Sequence, residues 1–338
     1  MKQQQAIITR VGAPEVLQVV ERDMPQPKKG QVRVKVLAAG VAFADVLMRY
    51  GKYPGTPPIP FTPGYDIVGV VDTCGTGVST VQVGQTVAAL TQFGGYAQYV
   101  CLPEQELLPI ASGLDPAEAV SVPLNYGTAY QMLHRNAQIK AGGRILVHGA
   151  AGGVGTALLQ LGKLAGLEMY GTASKPKHKL VTGLGGTPID YKNEDFVARV
   201  NELTGDGVDA VFDPVGGRNF NRSFQVLRRG GRLVAYGFSS MLDPNGDSPL
   251  KLAKSLFDLS FWSLLPNGKK ASFYMITRFK EQHPDWFRDD LITLFTLLQS
   301  KKIKPLVGAR LPLSKAAQAH ELIESARLTG KIVLLPQG

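Results

Sequence analysis

The run from Arg144 to Gly155, Arg-Ile-Leu-Val-His-Gly-Ala-Ala-Gly-Gly-Val-Gly, constrains the fold of this chain more than any other stretch. Ile145, Leu146 and Val147 read as a buried strand, the following glycines as a tight turn, and Thr156 to Leu164 as an amphipathic helix. A second strand, Glu168 to Ala173, comes next. Strand, turn, returning helix and strand form a crossover unit, which requires a parallel sheet. Such a turn also brings backbone close to a pyrophosphate, whose charge then rests on free N–H groups at the helix N-terminus. Glycine spacing alone would suit any tight strand–helix turn, so the flanking elements give the reading its weight.

The end of the second strand decides which nucleotide suits the turn. Sites selective for an unphosphorylated ribose place an acidic residue about 20 positions downstream. Here Gly171 to Lys179 contains no Asp or Glu, but has Ser174, Lys175, Lys177, His178 and Lys179. A carboxylate would repel a ribose 2′-phosphate, whereas Ser174 and Lys177 would bind it. Basic residues at a helix start oppose the helix dipole, which favours a use for them beyond the helix itself. NADPH is expected over NADH.

Two kinds of patterning divide the chain. Residues 1 to about 122 hold short β-type runs between glycines and prolines, such as Val32 to Val36, Ile67 to Val71 and Ala97 to Leu102. They predict a small, irregular β-barrel. From about 123 to 265, strands near 145–148, 168–173, 188–191, 208–212, 231–236 and 259–264 alternate with helices, as a doubly wound parallel α/β sheet requires. The remainder, 266–338, has helices at 285–300 and 314–327 and a last strand, 331–335, and is expected to pack back on the barrel. That arrangement would put a ligand cleft between two lobes, a favoured place for one.

Composition excludes several classes. Of 338 residues, 44% are hydrophobic and 19% charged, as in an ordinary globular protein. Two cysteines, Cys74 and Cys101, make no disulfide framework, and the five histidines show no mutual ligand spacing. No apolar run approaches the roughly 18 residues that span a bilayer, and no leader precedes the strand-like Ala6 to Thr9, so a cytoplasmic location is expected. The net charge of +10 invites a nucleic-acid reading, but the basic residues are scattered and lack interleaved aromatics, so no specific nucleic-acid binding is expected.

The motifs Gly40-Val-Ala-Phe-Ala-Asp45, Tyr50-Gly-Lys-Tyr53, Pro60-Phe-Thr-Pro-Gly64-Tyr-Asp66, Val147 to Gly155, Asp190-Tyr191, Asp213-Pro-Val-Gly-Gly217 and Gly330-Lys-Ile-Val333 run through the whole chain. Together they resemble the medium-chain dehydrogenase/reductases, in the zinc-independent quinone oxidoreductase branch that includes zeta-crystallin. Within it, 171–175, 213–217 and 257–265 look most like the synaptic vesicle membrane protein type. The resemblance implies a GroES-like barrel for catalysis, a Rossmann domain for NADPH, and a homodimer. Zinc-dependent relatives carry Cys where this chain has Ala42 and His where it has Tyr65, so no metal site is expected. Zinc-independent relatives commonly have Asn at the position of Ala42, which removes a donor near the substrate oxygen.

The resemblance also assigns roles. Gly152, Gly153 and Val154 would hold the pyrophosphate, with Ser174 and Lys177 at the 2′-phosphate. Tyr191 would stack on adenine or touch that phosphate. Thr128 and Tyr130 would lie under the nicotinamide or its ribose, although a buried helix start capped by Asn125 explains them equally well. Val215 and Gly216 would pass close to the cofactor, and Gly237, Phe238 and Ser239 would line the nicotinamide pocket. Tyr53 and Asp45 are the candidates for polar chemistry, Asp45 with a structural role, holding a turn or pairing with an arginine, as its alternative. Phe43, Tyr65, Phe93, Phe261 and Trp262 could wall a flat substrate. The reaction implied is hydride transfer to a small electrophile, a quinone. An α,β-unsaturated carbonyl would suit the same scaffold, and a non-catalytic NADPH-binding protein associated with RNA or membrane is the alternative of another class.

Overall fold

The computed structural model describes residues 1–242 and 249–337. They form two compact units, Met1–Asn125 with Asp285–Gly338, and Tyr126–Pro284.

In the first unit, the eleven-residue strand Gln31–Val41 organises a curved sheet. Val32, Val34 and Val36 point inward while Arg33 and Lys35 between them stay half-exposed, the period-two pattern of a half-buried strand. Asp66–Cys74 pairs with one edge of it, antiparallel. The other edge is shared by Tyr99–Pro103, which pairs with residues 31–35, and Lys331–Leu335, which pairs with 39–41. Register shifts at Arg33/Val34 and Val36/Ala38 let the strand bend between these partners. Val307–Pro312 lies parallel to Lys331–Leu335, so the C-terminal tail is part of the barrel sheet. The core is aliphatic, built on Val34, Ile67, Val87 and Ile332.

The second unit is a six-stranded parallel sheet in the order Gly186–Asp190, Glu168–Ala173, Arg144–Val147, Val208–Asp213, Leu227–Ala235, Lys270–Phe273. The chain winds outward in both directions from Arg144–Val147. The turns after that strand and after Val208–Asp213 therefore flank the switch point where open α/β sheets bind ligands.

Two expectations need correction here. The sixth strand is not 259–264: that stretch belongs to the helix Pro249–Trp262, and the sheet is completed by Lys270–Phe273. The run from 249 to 264 contains no Val, Ile or Thr, and its Leu, Ala, Lys and Ser residues favour a helix over a strand. A dimer paired through a strand at 259–264 loses its strand with it. The sheet unit runs Tyr126–Pro284. Residues 243–248 of the expected substrate-pocket segment lie outside the described residues. No helix among the described residues is long and apolar enough to cross a membrane.

Candidate functional site

In the sheet unit, the turn after Arg144–Val147 folds as its glycines require. Gly149 has φ +64°, and a Cβ on Gly155 would overlap the Gly149 carbonyl and lie 2.7 Å from Ala150 Cα. The helix Gly153–Leu164 begins at Gly152 with no side chain capping it. Its first N–H groups, those of Gly153, Val154 and Gly155, have no partner within the helix and are available to an anion.

A buried relay supports this turn from below. Thr172 Oγ1 lies 3.0 Å from His148 Nδ1, His148 Nε2 lies 3.0 Å from Ser223 Oγ, and Ser223 donates to Asp213 Oδ2 at 2.6 Å. Because Ser223 gives its hydrogen to the carboxylate, its oxygen accepts from His148 Nε2–H, and Nδ1 accepts from Thr172. Burial lowers the His148 pKa, in keeping with this neutral tautomer. Asp213 Oδ1 accepts from Val215 N–H at 2.7 Å, and Oδ2 also from Asn219 Nδ2 at 2.8 Å. The relay thus ties the Gly149 turn to the turn 214–217. Gly216 has φ +90°, and a Cβ there would lie 2.9 Å from Phe238. Gly237 packs against the Pro214 carbonyl, and Ser239 N–H donates to that carbonyl at 2.9 Å. Phe238 itself is buried, stacked on Phe273 with centroids 5.0 Å apart, so its ring belongs to the core.

At the ends of Glu168–Ala173 and Gly186–Asp190 the surface is basic. Ser174 and Lys177 are half-buried, and Lys175 and Lys192 are exposed. Burial first and the Lys192 charge second lower the Lys177 pKa. Asp190 is spent within its own turn, accepting from Lys192 N–H at 3.2 Å and Asn193 Nδ2 at 2.8 Å. Tyr191 lies just past the strand and is 53% exposed. Thr128 is buried and Tyr130 packs on His134. Asn125 is no cap; it sits inside a continuous helical run from Val122.

In the barrel unit, Asp45 is fully buried. Its carboxylate accepts from Ala42 N–H at 2.9 Å, Gly64 N–H at 3.1 Å and the Tyr96 hydroxyl at 3.1 Å. Tyr96 lies 3.2 Å from His320 Nε2, and Arg49 Nη1 lies 3.4 Å from His320 Nδ1. Arg49 can only donate, so Nδ1 accepts and Nε2–H donates to Tyr96. Burial pushes the Asp45 carboxyl up to about 7, the Ala42 and Gly64 N–H groups opposing it. The catalytic role entertained for Asp45 therefore gives way to its alternative: it has no exposed atom to offer a substrate, and it holds a turn. Tyr53 is half-buried and its hydroxyl lies 2.7 Å from that of Tyr65. Phe93 packs edge-on against Phe61. In the sheet unit Phe261 is exposed, and Trp262 stacks on Phe224.

A family model described as alcohol dehydrogenase GroES-like domain matches residues 28–112, and one described as zinc-binding dehydrogenase matches 184–334. The quinone oxidoreductase of Rattus norvegicus is 32% identical over 331 residues, 96% of this chain and 95% of that protein. The synaptic vesicle membrane protein VAT-1 homolog-like of Mus musculus is 30% identical over 334 residues, 97% of this chain and 80% of that one. A mycobacterial protein solved in complex with NADPH superposes with a TM-score of 0.86 at 30% identity, covering 99% of this chain and 100% of that one. The chain belongs to the medium-chain dehydrogenase/reductases, in their quinone oxidoreductase branch.

As a medium-chain reductase, the chain pairs a GroES-like barrel with a Rossmann-like sheet. At the two ligand places named above, Ala42 offers no donor atom and the Tyr65 hydroxyl is bonded to Tyr53. Among the described residues no group of three or more His, Cys, Asp or Glu is placed to hold a metal ion. Within the sheet unit of this reductase, Gly152, Gly153 and Val154 form the turn, Ser174, Lys177 and Tyr191 lie beyond the neighbouring strand ends, and Val215, Gly216, Gly237 and Ser239 form the next pair of turns. Sequence reasoning missed Lys192, which stands two residues after the Asp190-Tyr191 motif's first member, and both histidine relays.

Proposed function

We propose that this medium-chain reductase is NADPH-dependent and reduces quinones. The observation that carries the reading is the basic cluster of Lys175, Lys177 and Lys192 around Ser174, beyond a glycine turn whose helix N-terminus is uncapped. The helix N–H groups of Gly153 to Gly155 bind the pyrophosphate, while Ser174 and Lys177 hold the 2′-phosphate. Lys192 would add charge, and the exposed Tyr191 ring would stack on the adenine or touch the 2′-phosphate. The turns at Val215–Gly216 and Gly237–Ser239 present small residues and backbone, which admits a flat ring close to the sheet. Bound in this way, NADPH supplies hydride, two electrons with one hydrogen.

The barrel unit offers the Tyr53 hydroxyl, a hydrogen-bond donor that would suit an acceptor's oxygen as negative charge grows on it. The second hydrogen of the hydroquinone arrives as a proton from water, so Tyr53 keeps its own. A quinone suits this arrangement because its reduced oxygen needs a donor and no strong acid. The protein's work is orientation and exclusion of water.

The test is the rate of NADPH oxidation by the purified protein against para-quinones, ortho-quinones and short enones, with NADH in parallel. Turnover of quinones with NADPH and little with NADH is the expected result. Replacing Ser174 and Lys177 by Ala should weaken NADPH binding by roughly tenfold or more each, at about 1.5–3 kcal/mol per charge-assisted bond, and leave NADH binding unchanged. Tight NADPH binding without turnover of any acceptor would replace this reading by that of a non-catalytic binding protein.

A further inference from the structure

The edge of the parallel sheet carries two cations side by side. Lys270–Phe273 runs parallel to Leu227–Ala235, and the register sets Lys270 directly beside Arg232. Residues two apart on a strand share a face, so Lys270 and Ser272 lie on one side of the sheet. Lys269 lies on the other, where its Nζ donates to the Phe224 and Gln225 carbonyls at 3.2 and 3.3 Å. Like charges directly opposite on neighbouring strands repel and weaken the pairing. Other arginines of this sheet have their counter-charge: Arg228 meets Asp209, and Arg144 meets Asp206. Among the described residues, the half-buried Arg232 side chain makes one hydrogen bond, from Nη1 to the Asn136 carbonyl at 3.4 Å, and Lys270 Nζ one to the Ser263 carbonyl at 3.3 Å. Neither meets a carboxylate there.

Both cations line a cavity of about 290 Å³ with Asn136, Leu233, Ser263, Ala271 and Ser272, and no Asp or Glu lines it. Ser272 Oγ donates to Asn136 Oδ1 at 3.1 Å, which leaves the Asn136 Nδ2 hydrogens without a partner among the described residues. Ser263 Oγ is engaged by the Ala271 backbone, accepting from its N–H at 2.8 Å and donating to its carbonyl at 2.9 Å, so it forms wall and not ligand. We propose that this cavity binds a phosphate group, at a site separate from the cofactor's. The Arg232 fork takes two of its oxygens, Lys270 supplies a point charge, and Asn136 Nδ2 is the neutral donor. A phosphate dianion balances both cations and removes the cross-strand repulsion, which a carboxylate would only halve. The size suits a headgroup and not a whole dinucleotide. The position also separates it from the nucleotide turns: Arg232 is level with Ala210 and Ile145, near the amino end of the sheet, whereas those turns follow the carboxyl ends of the strands. The site lies wholly within the sheet unit and does not depend on the reduction proposed above.

The experiment is a calorimetric titration of the intact chain with inorganic phosphate at constant ionic strength, with chloride as the balancing ion. It is run on the chain saturated with NADPH, so that the nucleotide turn is filled, and again without nucleotide, so that a failure of NADPH to bind leaves the test intact. Lys270→Met and Arg232→Met should each weaken phosphate binding by roughly tenfold or more and leave NADPH Kd unchanged. Lys270 is exposed and its loss relieves repulsion, so in phosphate-free buffer Lys270→Met should melt no lower than the parent. Phosphate stabilises folded proteins generally by exclusion from their surface, so a rise in Tm counts only where these variants lose it. No phosphate binding, or equal binding by the parent and both variants, would overturn the site. Sedimentation with phosphatidic acid vesicles, against phosphatidylcholine alone, then separates the sources. Capture of the parent but not of Lys270→Met assigns a lipid headgroup, and phosphate binding without capture assigns a soluble phosphate ester.

Discussion

Both units build the same device from different parts. In the barrel, Arg49 donates to His320, His320 to Tyr96, and Tyr96 to Asp45, which holds the backbone of Ala42 and Gly64. In the sheet unit, Thr172 donates to His148, His148 to Ser223, and Ser223 to Asp213, which holds Val215 and Asn219. Each runs from donor to neutral histidine, hydroxyl and carboxylate, and each ends on a turn that precedes or forms part of the candidate site. The difference lies at the head of the chain. A guanidinium heads the barrel relay, itself paired with Glu324, and a neutral hydroxyl heads the other. Charge specifies the barrel interior, and neutral dipoles specify the interior beneath the nucleotide turn.

The largest effects should separate the two carboxylates. Asp45→Ala leaves two buried backbone N–H groups and a buried hydroxyl without an acceptor, a loss of about 3–5 kcal/mol. Asp213→Ala also strands the buried Ser223 hydroxyl but should cost less, about 2–3 kcal/mol, because half-buried Val215 and Asn219 can turn to water. Its sharper effect should be on NADPH affinity, through a loosened 214–217 turn. Urea unfolding and NADPH titration of both variants would decide, and an Asp213 variant less stable than the Asp45 variant would break the comparison.

The barrel's reliance on charge can be tested at its second buried pair. Lys331 Nζ lies 3.0 and 2.9 Å from the two Asp66 oxygens, with both side chains almost wholly enclosed. Burial pushes the Asp66 carboxyl up, against the Lys331 charge. Lys331→Met strands that carboxylate and should cost about 3–5 kcal/mol, whereas Asp66→Asn with Lys331→Met together should recover much of the loss. A single variant as stable as the parent would show that the pair contributes nothing.

This pair explains which parts of the molecule were legible beforehand. The Gly40, Asp66 and Lys331 motifs stood out as a family resemblance, but their spacing said nothing of why. The structure shows Gly40 opposite Asp66 in the sheet, where a Cβ would overlap Asp66 Oδ1 and Lys331 Cε. The parallel sheet and its glycine turn were readable because periodicity and turn chemistry are local. The relays were not, because His320 is 224 residues from Tyr96 and 271 from Arg49. Only folding brings them together, and a lone histidine in a sequence gives no sign of its partner. The expected strand at 259–264 gives way to a helix because its apolar run suits either element until the weak pull of unbranched side chains is counted. Tyr65 was read for its ring and not its hydroxyl, since a single tyrosine does not show what its oxygen will meet.

A smaller and more discriminating effect lies in pH. Burial holds the Asp45 carboxyl near 7, and burial with the Arg49 charge holds His320 near 3. Unfolded at pH 5.5, taken as about midway between ordinary carboxyl and imidazole values, Asp45 is ionised and His320 protonated. Folding returns a proton to the first and removes one from the second, so their contributions oppose. The raised carboxyl alone makes stability fall as pH rises from about 4 to 7, and the depressed imidazole alone makes it fall as pH drops below about 6.5. His320→Gln should uncover the first slope, up to about 1.4 kcal/mol per pH unit, in urea midpoints across that range. His148→Gln should instead remove some loss of stability in acid, since the depressed His148 contributes there.

The smallest expected effect tests the head of each relay. Thr172→Val keeps the shape of the side chain and removes the hydroxyl that donates to His148 Nδ1. The bond to His148 is lost, about 1 kcal/mol, together with the longer one that Thr172 Oγ1 accepts from Gly149 N–H at 3.3 Å. The imidazole, no longer held in one tautomer, can then turn its Nδ1 into a donor toward the vacated side. Arg49→Met removes a cation from an equally buried imidazole and leaves half-buried Glu324 to water. That loss should be greater in stability, yet it should raise the His320 pKa, because the guanidinium is one of the two influences holding it down. Histidine NMR titrations of the two variants separate the cases. A His320 resonance that stays neutral through pH 4 in Arg49→Met would mean that burial alone sets its state. The two relays would then differ in composition but not in physics.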